Sequence, residues 1–183
     1  MELRRYRTIV ADPPWRYDDG FPFLLGSRGS KKIALPYAAL SVADIRALPV
    51  NVLAEADARL FLWATNRYLP VSFGVLAAWG SDYRQTLVWH KTNAQPVRGS
   101  VAPNSAEFLI VGVRGTPAVL GGFPSAVIRA PRGVHSRKPD AILDHIEAVS
   151  PGPYLELFAR RNRLGWDTWG DEALEHVSLG GES

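Results

Sequence analysis

The five residues Ala11–Trp15 place a carboxylate, two prolines and a large aromatic ring directly after an apolar run. That run, Tyr6–Val10, is rich in β-branched residues and predicts a buried strand, which ends where proline can no longer donate hydrogen bonds. Ligands of open α/β sheets bind beyond the carboxyl ends of the strands, so we expect Asp12 at the edge of a cleft. The Asp12 carboxylate and the Pro13 carbonyl are neighbouring acceptors, which suits a group with two N–H donors, such as the exocyclic amine of a nucleobase.

Trp15, the last residue of this motif, offers a flat face on which such a base is expected to stack. The alternative interpretation is that the motif is an ordinary turn and that Trp15 packs in the core, because Asp-Pro pairs are common in turns. The full tetrapeptide is rare by composition, since Pro makes up about 5% of residues and Trp is much scarcer. Its position at the end of a buried-strand pattern therefore favours a functional site.

A second group of candidate side chains lies in the last third of the chain. Lys138 comes directly before a helix pattern, and a strand pattern ends in Ala159-Arg160. A lysine beside the free N–H groups of a helix start is suited to bind a carboxylate. The glycine-rich fingerprint of dinucleotide-binding proteins is absent from the sequence. The alternative interpretation is that Lys138 and Arg160 are ordinary surface cations.

Cationic side chains collect in three stretches that contain no acidic residue, although the net charge is only +3. Because all three stretches are loop-like and share one sign, they predict a surface that faces a polyanion such as nucleic acid. The alternative is a set of solvated loops whose charge has no partner. The first stretch carries Arg28, Lys31 and Lys32, the second Arg84, Lys91 and Arg98, and the third Arg114, Arg129, Arg132, Arg137 and Lys138.

Length and composition limit the class of protein. With 183 residues, 46% of them hydrophobic and 21% charged, the sequence predicts one soluble globular domain. There is no cysteine and the four histidines show no metal-ligand spacing, so we expect neither a disulfide nor a metal site. The first residues show no signal peptide and no apolar run reaches membrane length, which predicts a cytoplasmic protein without a membrane partner.

The elements that must position these side chains alternate between strand and helix patterns, which indicates a doubly wound, mostly parallel α/β sheet. After the first strand, further strands are predicted at Arg59–Trp63, Tyr83–His90, Phe108–Val113, Ala126–Ile128, Tyr154–Phe158 and Gly165–Trp169. Two helices are predicted early in the chain, one from a capping box at Ser41 to Leu48 and one over Asn51–Asp57. A third is predicted from a cap at Thr65 or Asn66 to Trp79, with Gly80 as the stop. A fourth is predicted to run to Val149, with Pro139 at its first helical position. Long loops are predicted at Arg16–Pro36, which we expect to be mobile, and at Lys91–Ala106.

Five segments together resemble one known family, the adenine-N6 methyltransferases that include the catalytic subunit of the eukaryotic messenger-RNA methyltransferase and many short prokaryotic and phage members. The likeness extends from about Tyr6 to Glu172 and is greatest to the short members. It implies a Rossmann-like, S-adenosylmethionine-dependent methyltransferase fold with permuted motif order, in a domain at 1–172 followed by a tail at 173–183. The segments are, in chain order, Asp12–Trp15, Trp89–Asn93, Glu107–Gly112, His135–Asp140 and Glu156–Arg160.

The resemblance also implies roles for individual residues. The catalytic pocket would consist of Asp12, Pro13, Pro14 and Trp15. Contacts to S-adenosylmethionine would come from Asp12, Lys138, Glu156, Leu157, Phe158, Arg160, Asn162 and Asp171, with the alignment in the basic turn around Asn162 left open. The loop after Trp89 corresponds to one that shapes target binding in the family. Together with the charge pattern of the first acid-free stretch, this predicts that contacts to nucleic acid come from Arg28, Lys31, Lys32, His90, Lys91, Asn93, Arg98 and Asn104.

Three departures from the family pattern affect these assignments. Asp171 stands where asparagine is usual, which questions its role as a donor to the cofactor. Pro103 stands where many members carry arginine, so contacts to the target are expected to differ there. The chain also begins too close to Asp12 to include the cofactor-contacting segment that lies upstream in the eukaryotic enzymes.

The mechanism expected from this resemblance is direct methyl transfer to a flipped-out base. The base stacks on Trp15 while its amine donates to Asp12 and to the Pro13 carbonyl, and no thiol is present to form a covalent intermediate. DNA is the expected substrate by analogy with the short members. The alternatives are RNA, the N4 amine of cytosine, and an inactive subunit that only binds nucleic acid, and both a monomer and a homodimer are open.

Overall fold

The sheet that contains the Asp12 motif has seven strands in the part of the chain that the structure describes. The structure is a computed structural model, and it describes residues 4–16, 39–96, 101–133 and 138–170. The strand order is β5-β3-β4-β2-β1-β6-β7, and β4 runs antiparallel to both of its neighbours while the other six strands share one direction. The strands are β1 (Tyr6–Ala11), β2 (Ala54–Thr65), β3 (Asp82–Lys91), β4 (Ala106–Arg114), β5 (Val127–Ala130), β6 (Tyr154–Leu157) and β7 (Trp166–Trp169).

Helices cover both faces of this sheet, as expected for a doubly wound fold. Successive side chains of β2 point to opposite faces of the sheet, and each face has its own hydrophobic core. Leu60 and Leu62 belong to one core, and Phe61 and Trp63 belong to the other. The first three helices contribute buried residues to the core around Leu60, and the fourth contributes to the core around Phe61. The helices are α1 (Val42–Ala47), α2 (Val50–Leu53), α3 (Leu69–Ala78) and α4 (Asp140–Val149).

Most of the predicted elements are confirmed, and the errors lie at their ends. The capping box at Ser41 is present, with reciprocal bonds between Ser41 and Asp44. The helix predicted over Asn51–Asp57 is wrong beyond Leu53, because the chain from Ala54 onward is already part of β2. A local helix pattern cannot reveal this, since strand pairing with β1 and β4 decides where β2 begins.

Both predicted helix caps around the site were wrong. Tyr68, rather than Thr65 or Asn66, is the N-cap of α3, and it makes no side-chain capping bond. Pro139 is the N-cap of α4 instead of its first helical residue. Gly80 has a φ of +77°, which confirms it as the stop after α3.

The order of strands brings the two ends of the sequence together. The first strand, β1, lies between β2 and β6, so the Asp12 motif lies beside the strand that the chain forms near its end. β1 and β6 are parallel, but the strand that follows β1 lies on one side of this pair and the strand that follows β6 lies on the other. Such a change in strand order is the position where open α/β sheets form a ligand crevice. The permuted order implied by the resemblance is therefore present.

Several predictions fall outside the described residues. These are most of the loop at Arg16–Pro36 and the tail at 173–183. Within the described ranges, no helix is long and apolar enough to span a membrane. Within the same ranges, no group of three or more histidine, aspartate or glutamate side chains is arranged so that it could hold a metal ion.

Candidate active site

The backbone after β1 fixes Asp12 at the carboxyl edge of the sheet. The Asp12 N–H donates to the Leu157 carbonyl of β6 at 3.4 Å, so the residue lies at the junction of the two strands. Beyond the two prolines, the Arg16 N–H donates to the Leu40 carbonyl at 3.1 Å, and the Leu40 N–H donates to the Pro14 carbonyl at 2.9 Å. The motif is therefore held on both sides by backbone hydrogen bonds, which leaves its carboxylate at a defined position.

The Pro13 carbonyl already accepts one hydrogen bond, from the Trp15 N–H at 2.9 Å. A carbonyl oxygen has two lone pairs, so one remains for a second donor. The Pro13 oxygen is therefore shared with the turn itself and can accept one further hydrogen bond. That it binds a ligand together with Asp12 stays a prediction.

Trp15 does not present the open face that the sequence analysis expected. Its side chain is only 5% exposed, and its ring stacks on Tyr68 with the centroids 4.9 Å apart. Its indole N–H donates to the Trp63 carbonyl at 3.2 Å. The prediction that a base stacks on Trp15 is therefore corrected: this ring packs in the core beneath the Asp12 turn, because Tyr68 at the start of α3 covers it.

Lys138 pairs with Asp12 across the cleft. Its ammonium donates to both carboxylate oxygens of Asp12 at 2.8 Å and contacts Oε2 of Glu107 at 3.2 Å. Burial lowers the pKa of the Lys138 ammonium, but the charges of Asp12 and Glu107 raise it by more, so the net pKa lies above the ordinary lysine value. Lys138 therefore stays charged and fixes the orientation of the Asp12 carboxylate.

Lys91 is buried, which corrects its assignment to the nucleic-acid surface. Its side chain is 7% exposed, and its ammonium lies 2.5 Å from Oε1 of Glu107. Because β3 and β4 are antiparallel neighbours, Lys91 and Glu107 reach each other on the same face of the sheet. Lys91 thus lies in a stretch of sequence without acidic residues, but the neighbouring strand β4 supplies the carboxylate with which it pairs.

Glu156 on β6 is a mostly buried carboxyl whose Oε2 has no hydrogen-bond partner in the described structure. Burial and, after it, the negative charges of Asp12 and Asp140 raise its pKa to about 7, while Arg163 acts in the opposite direction. An orphaned carboxyl oxygen beside Asp12 is suited to bind a donor group of a ligand.

Replacing Glu156 by Gln is expected to stabilise the protein at alkaline pH. Because the pKa is 4.5 in the unfolded chain and about 7 in the folded one, the folded state binds the extra proton between these values, and stability falls as the pH rises through this window. Above pH 7 the full cost is about 2–4 kcal/mol, which the amide avoids. Urea unfolding of wild type and Glu156→Gln at pH 4.5 and pH 8 measures the difference.

A matched control for this experiment is Glu55→Gln, because Glu55 forms only a partly exposed pair with Arg7 at 3.1 Å. That variant is expected to change the unfolding free energy by less than about 1 kcal/mol at either pH. Equal stabilisation by Glu156→Gln at both pH values would contradict the assignment of a raised pKa.

The other predicted cofactor residues lie around the end of β6. The Leu157 side chain is fully buried, and its carbonyl receives the Asp12 N–H, so only its backbone is at the site. Phe158 adopts a φ of +63°, which turns the chain sharply after the strand. Arg160 is half-buried and Asn162 is exposed, with the amide oxygen of Asn162 3.5 Å from the Thr168 hydroxyl. Asp171 lies outside the described residues.

The basic turn after β6 is attached to α4 by ion pairs. Arg161 pairs with Asp140 at the start of the helix. Arg163 pairs with Asp144 at 2.6 Å and with Glu147 at 2.8 Å. These cations hold the turn against the helix, so they are engaged within the protein and not directed at the phosphates of a nucleic acid.

Four of the residues predicted to bind nucleic acid lie within the described ranges: His90, Lys91, Asn93 and Asn104. His90 is exposed at the end of β3. The exposed amide of Asn93 makes two bonds to the backbone of Arg132, accepting at 2.7 Å and donating at 3.2 Å, and Asn104 accepts from Asn66 at 3.3 Å. Arg28, Lys31, Lys32 and Arg98 lie outside the described residues, so their roles stay predictions.

Three residues for which the sequence predicts no role contact the Asp12 motif or Lys138: Glu107, Tyr68 and Trp63. The Lys138 ammonium lies 5.2 Å from the Trp63 ring centroid, a cation–π contact. A signal for Glu107 existed, since it is a carboxylate at the start of the buried run that became β4. Tyr68 and Trp63 carried no signal, because ordinary core packing explains an aromatic residue equally well.

The donor set of this cleft fits S-adenosylmethionine, which carries a carboxylate, an ammonium and a sulfonium. The Lys138 ammonium would bind the carboxylate by exchanging one of its contacts to Asp12 or Glu107, and the orphaned oxygen of Glu156 is a partner for a donor such as the ammonium. A mostly parallel sheet with one antiparallel strand, helices on both faces and a change in strand order between β1 and β6 is a Rossmann-like methyltransferase fold.

Comparison with known proteins gives the same class and identifies the family. Residues 6–172 match the MT-A70 family, and the chain belongs to it. It is 30% identical to the type II methyltransferase M.MunI of Mycoplasma sp over 94% of this chain and 79% of that protein. It is 32% identical to the N(6)-adenosine-methyltransferase catalytic subunit METTL3 of Homo sapiens over 97% of this chain, but spans only 30% of that protein. The MT-A70-like protein of Drosophila melanogaster is also 32% identical, with 28% of its length covered.

Proposed function

We propose that this protein transfers the methyl group of S-adenosylmethionine to the exocyclic N6 amine of adenine in DNA. The observation that carries the proposal is the Asp12 carboxylate, held at the carboxyl end of β1 by two hydrogen bonds from Lys138. Membership of the MT-A70 family supports the chemistry. DNA is favoured because M.MunI, of which this chain covers 79%, is a type II methyltransferase.

Asp12 and Pro13 would select and orient the target amine. The two acceptors bind its two hydrogens, which directs the nitrogen lone pair away from them and toward the methyl group. Because Lys138 fixes the carboxylate before the substrate arrives, little reorganisation is needed in the transition state. A carbonyl or methyl group at the same position of another base would offer no donor, so these residues also discriminate between bases.

S-adenosylmethionine supplies the reactive methyl group when it is bound. Lys138 would hold its carboxylate, Glu156 would accept a hydrogen bond from its ammonium, and Arg160 and Asn162 border the same edge of the sheet. Trp15 and Tyr68 would support the floor of the target pocket without touching the base. Under this proposal, side chains other than Trp15 would stack on the base.

RNA is the second candidate substrate, since relatives at 32% identity are named N(6)-adenosine-methyltransferases. The test is incubation with labelled S-adenosylmethionine and matched DNA and RNA oligonucleotides, single- and double-stranded, followed by digestion to nucleosides and mass spectrometry. N6-methyldeoxyadenosine supports the proposal, and N6-methyladenosine moves the substrate to RNA. N4-methylcytosine, or no methylated nucleoside, contradicts it.

The acid-free loop that contains Lys31 and Lys32 is expected to bind the substrate backbone, although it lies outside the described residues. Duplex DNA affinity should then fall with salt by about 0.9 log units per phosphate contact for each tenfold rise in salt, and by about 0.7 on single strands. Replacing both lysines by alanine should flatten the slope by up to about two units on cognate and non-cognate sequences alike. Salt titrations of wild type and the double variant measure this, and parallel lines would show that the loop makes no phosphate contact.

A further inference from the structure

Four charged side chains form a continuous chain that runs from the Asp12 carboxylate into the protein interior. Asp12 binds Lys138, Lys138 binds Glu107, and Glu107 binds Lys91. The first two side chains are 23% and 19% exposed, whereas those of Glu107 and Lys91 are 9% and 7% exposed. The two cations and two carboxylates balance, and the inner pair is almost fully enclosed.

The inner end of this chain is rigid. The Lys91 N–H donates to the Ser105 carbonyl at 2.7 Å, which fixes the end of β3 against the residue before β4. The Lys91 ammonium also lies 5.2 Å from the ring centroid of Trp89, which is fully buried. The backbone of Lys91 is therefore held by the neighbouring strand end, and its ammonium is held by a carboxylate and an aromatic ring.

Lys91 determines which oxygen of Glu107 is available to Lys138. It occupies Oε1, and only Oε2 contacts Lys138, at 3.2 Å. Lys138 in turn is shared between Glu107 and both oxygens of Asp12. Without Lys91, both oxygens of Glu107 would compete for the Lys138 ammonium and would draw it away from Asp12.

We infer that Lys91 is a positioning residue for methyl transfer, acting through Glu107 to hold Lys138 against Asp12. This inference rests on the proposed function, because Asp12 is the group whose orientation it serves. A purely stabilising role would not require charges, since a buried ion pair is often no more stabilising than an apolar pair of similar volume. The Lys91–Glu107 pair lies next to Lys138, where its charges can orient the Lys138 ammonium and an apolar pair could not.

The first test compares Lys91→Met with wild type in steady-state methylation. Misplacement of a catalytic group by about 1 Å costs on the order of 10²-fold in rate, so we expect kcat to fall by about 10–100-fold. The KM values for S-adenosylmethionine and for the oligonucleotide should change little, because Lys91 reaches neither. Lys91→Arg keeps the charge and should recover part of the lost kcat. Lys91→Gln, which removes the charge but keeps a polar side chain, replaces Lys91→Met in the comparison if that variant does not fold.

The second test asks whether Lys91 acts through Glu107. In a Glu107→Gln background, adding Lys91→Met should lower kcat by less than about twofold, because the carboxylate that Lys91 orients is already gone. Arg59→Met is the matched control for loss of a buried cation. Arg59 is 8% exposed and donates to the Ala118 and Val149 carbonyls away from the site, so this variant should lose stability but keep its kcat.

A third readout does not depend on methyl transfer. The side-chain NMR signal of Lys138 can be assigned with the Lys138→Met variant. Its chemical shift should change in Lys91→Met and stay unchanged in Arg59→Met. In a Glu107→Gln background, adding Lys91→Met should cause no further change in this chemical shift. If wild type methylates no nucleic acid, the proposed function fails and this signal alone decides the coupling. An unchanged Lys138 signal, or equal losses of kcat with and without Glu107, would overturn the inference.

Discussion

Asp12→Asn is expected to reduce methyl transfer by a factor of about 10²–10³, the range for loss of one preorganised electrostatic group. The amide keeps the shape of the carboxylate but loses its charge, and it can direct an N–H at the target amine instead of an acceptor. It also removes one of the two anions that hold Lys138 in place. Single-turnover transfer from labelled S-adenosylmethionine measures the loss without interference from product release.

Folding and cofactor binding serve as the controls for this variant. The far-ultraviolet circular dichroism spectrum should match that of wild type, because the Asp12 backbone bond to Leu157 does not involve the side chain. Retention of a tenth or more of the wild-type rate would show that Asp12 is not the acceptor for the amine. The remaining catalytic assignments to Pro13 and Pro14 would then lose their basis as well.

Lys138→Met is expected to lower the free energy of unfolding by roughly 3–5 kcal/mol, because it leaves the carboxylates of Asp12 and Glu107 without their shared cation. The pKa of Lys138 is raised above its ordinary value of 10.5, so its stabilising contribution is complete at neutral pH and is lost only as the pH rises through the folded-state value. Urea unfolding at pH 7 is therefore the appropriate measurement.

The same variant should also weaken cofactor binding if Lys138 holds the carboxylate of S-adenosylmethionine. The expected loss is about 1.5–3 kcal/mol, the range for a hydrogen bond to a charged group, and titration calorimetry measures it below the unfolding temperature. Unchanged cofactor affinity, with only nucleic-acid affinity reduced, would assign Lys138 to the phosphate surface. Arg59→Met again provides the control, since it removes a buried cation far from Asp12.

The sequence alone determined the class of fold and the position of the Asp12 motif. Alternation of β-branched runs with helix patterns predicted the doubly wound sheet, and the prolines predicted the end of β1, because both signals depend on backbone properties of neighbouring residues. The capping box at Ser41 was predictable for the same reason. The start of β2 and the caps of α3 and α4 were not, since strand pairing and packing override local preference at element ends.

Only the tertiary structure decided what the side chains around Asp12 do. Lys91 belongs to an acid-free stretch of sequence, yet β3 and β4 pair so that it meets Glu107 in the interior. The indole ring of Trp15 is a suitable surface for stacking a base, yet Tyr68, the N-cap of α3, covers this ring. In each case the partner lies 16 or more positions away in the chain, and burial, charge pairing and access to a ligand depend on such distant partners.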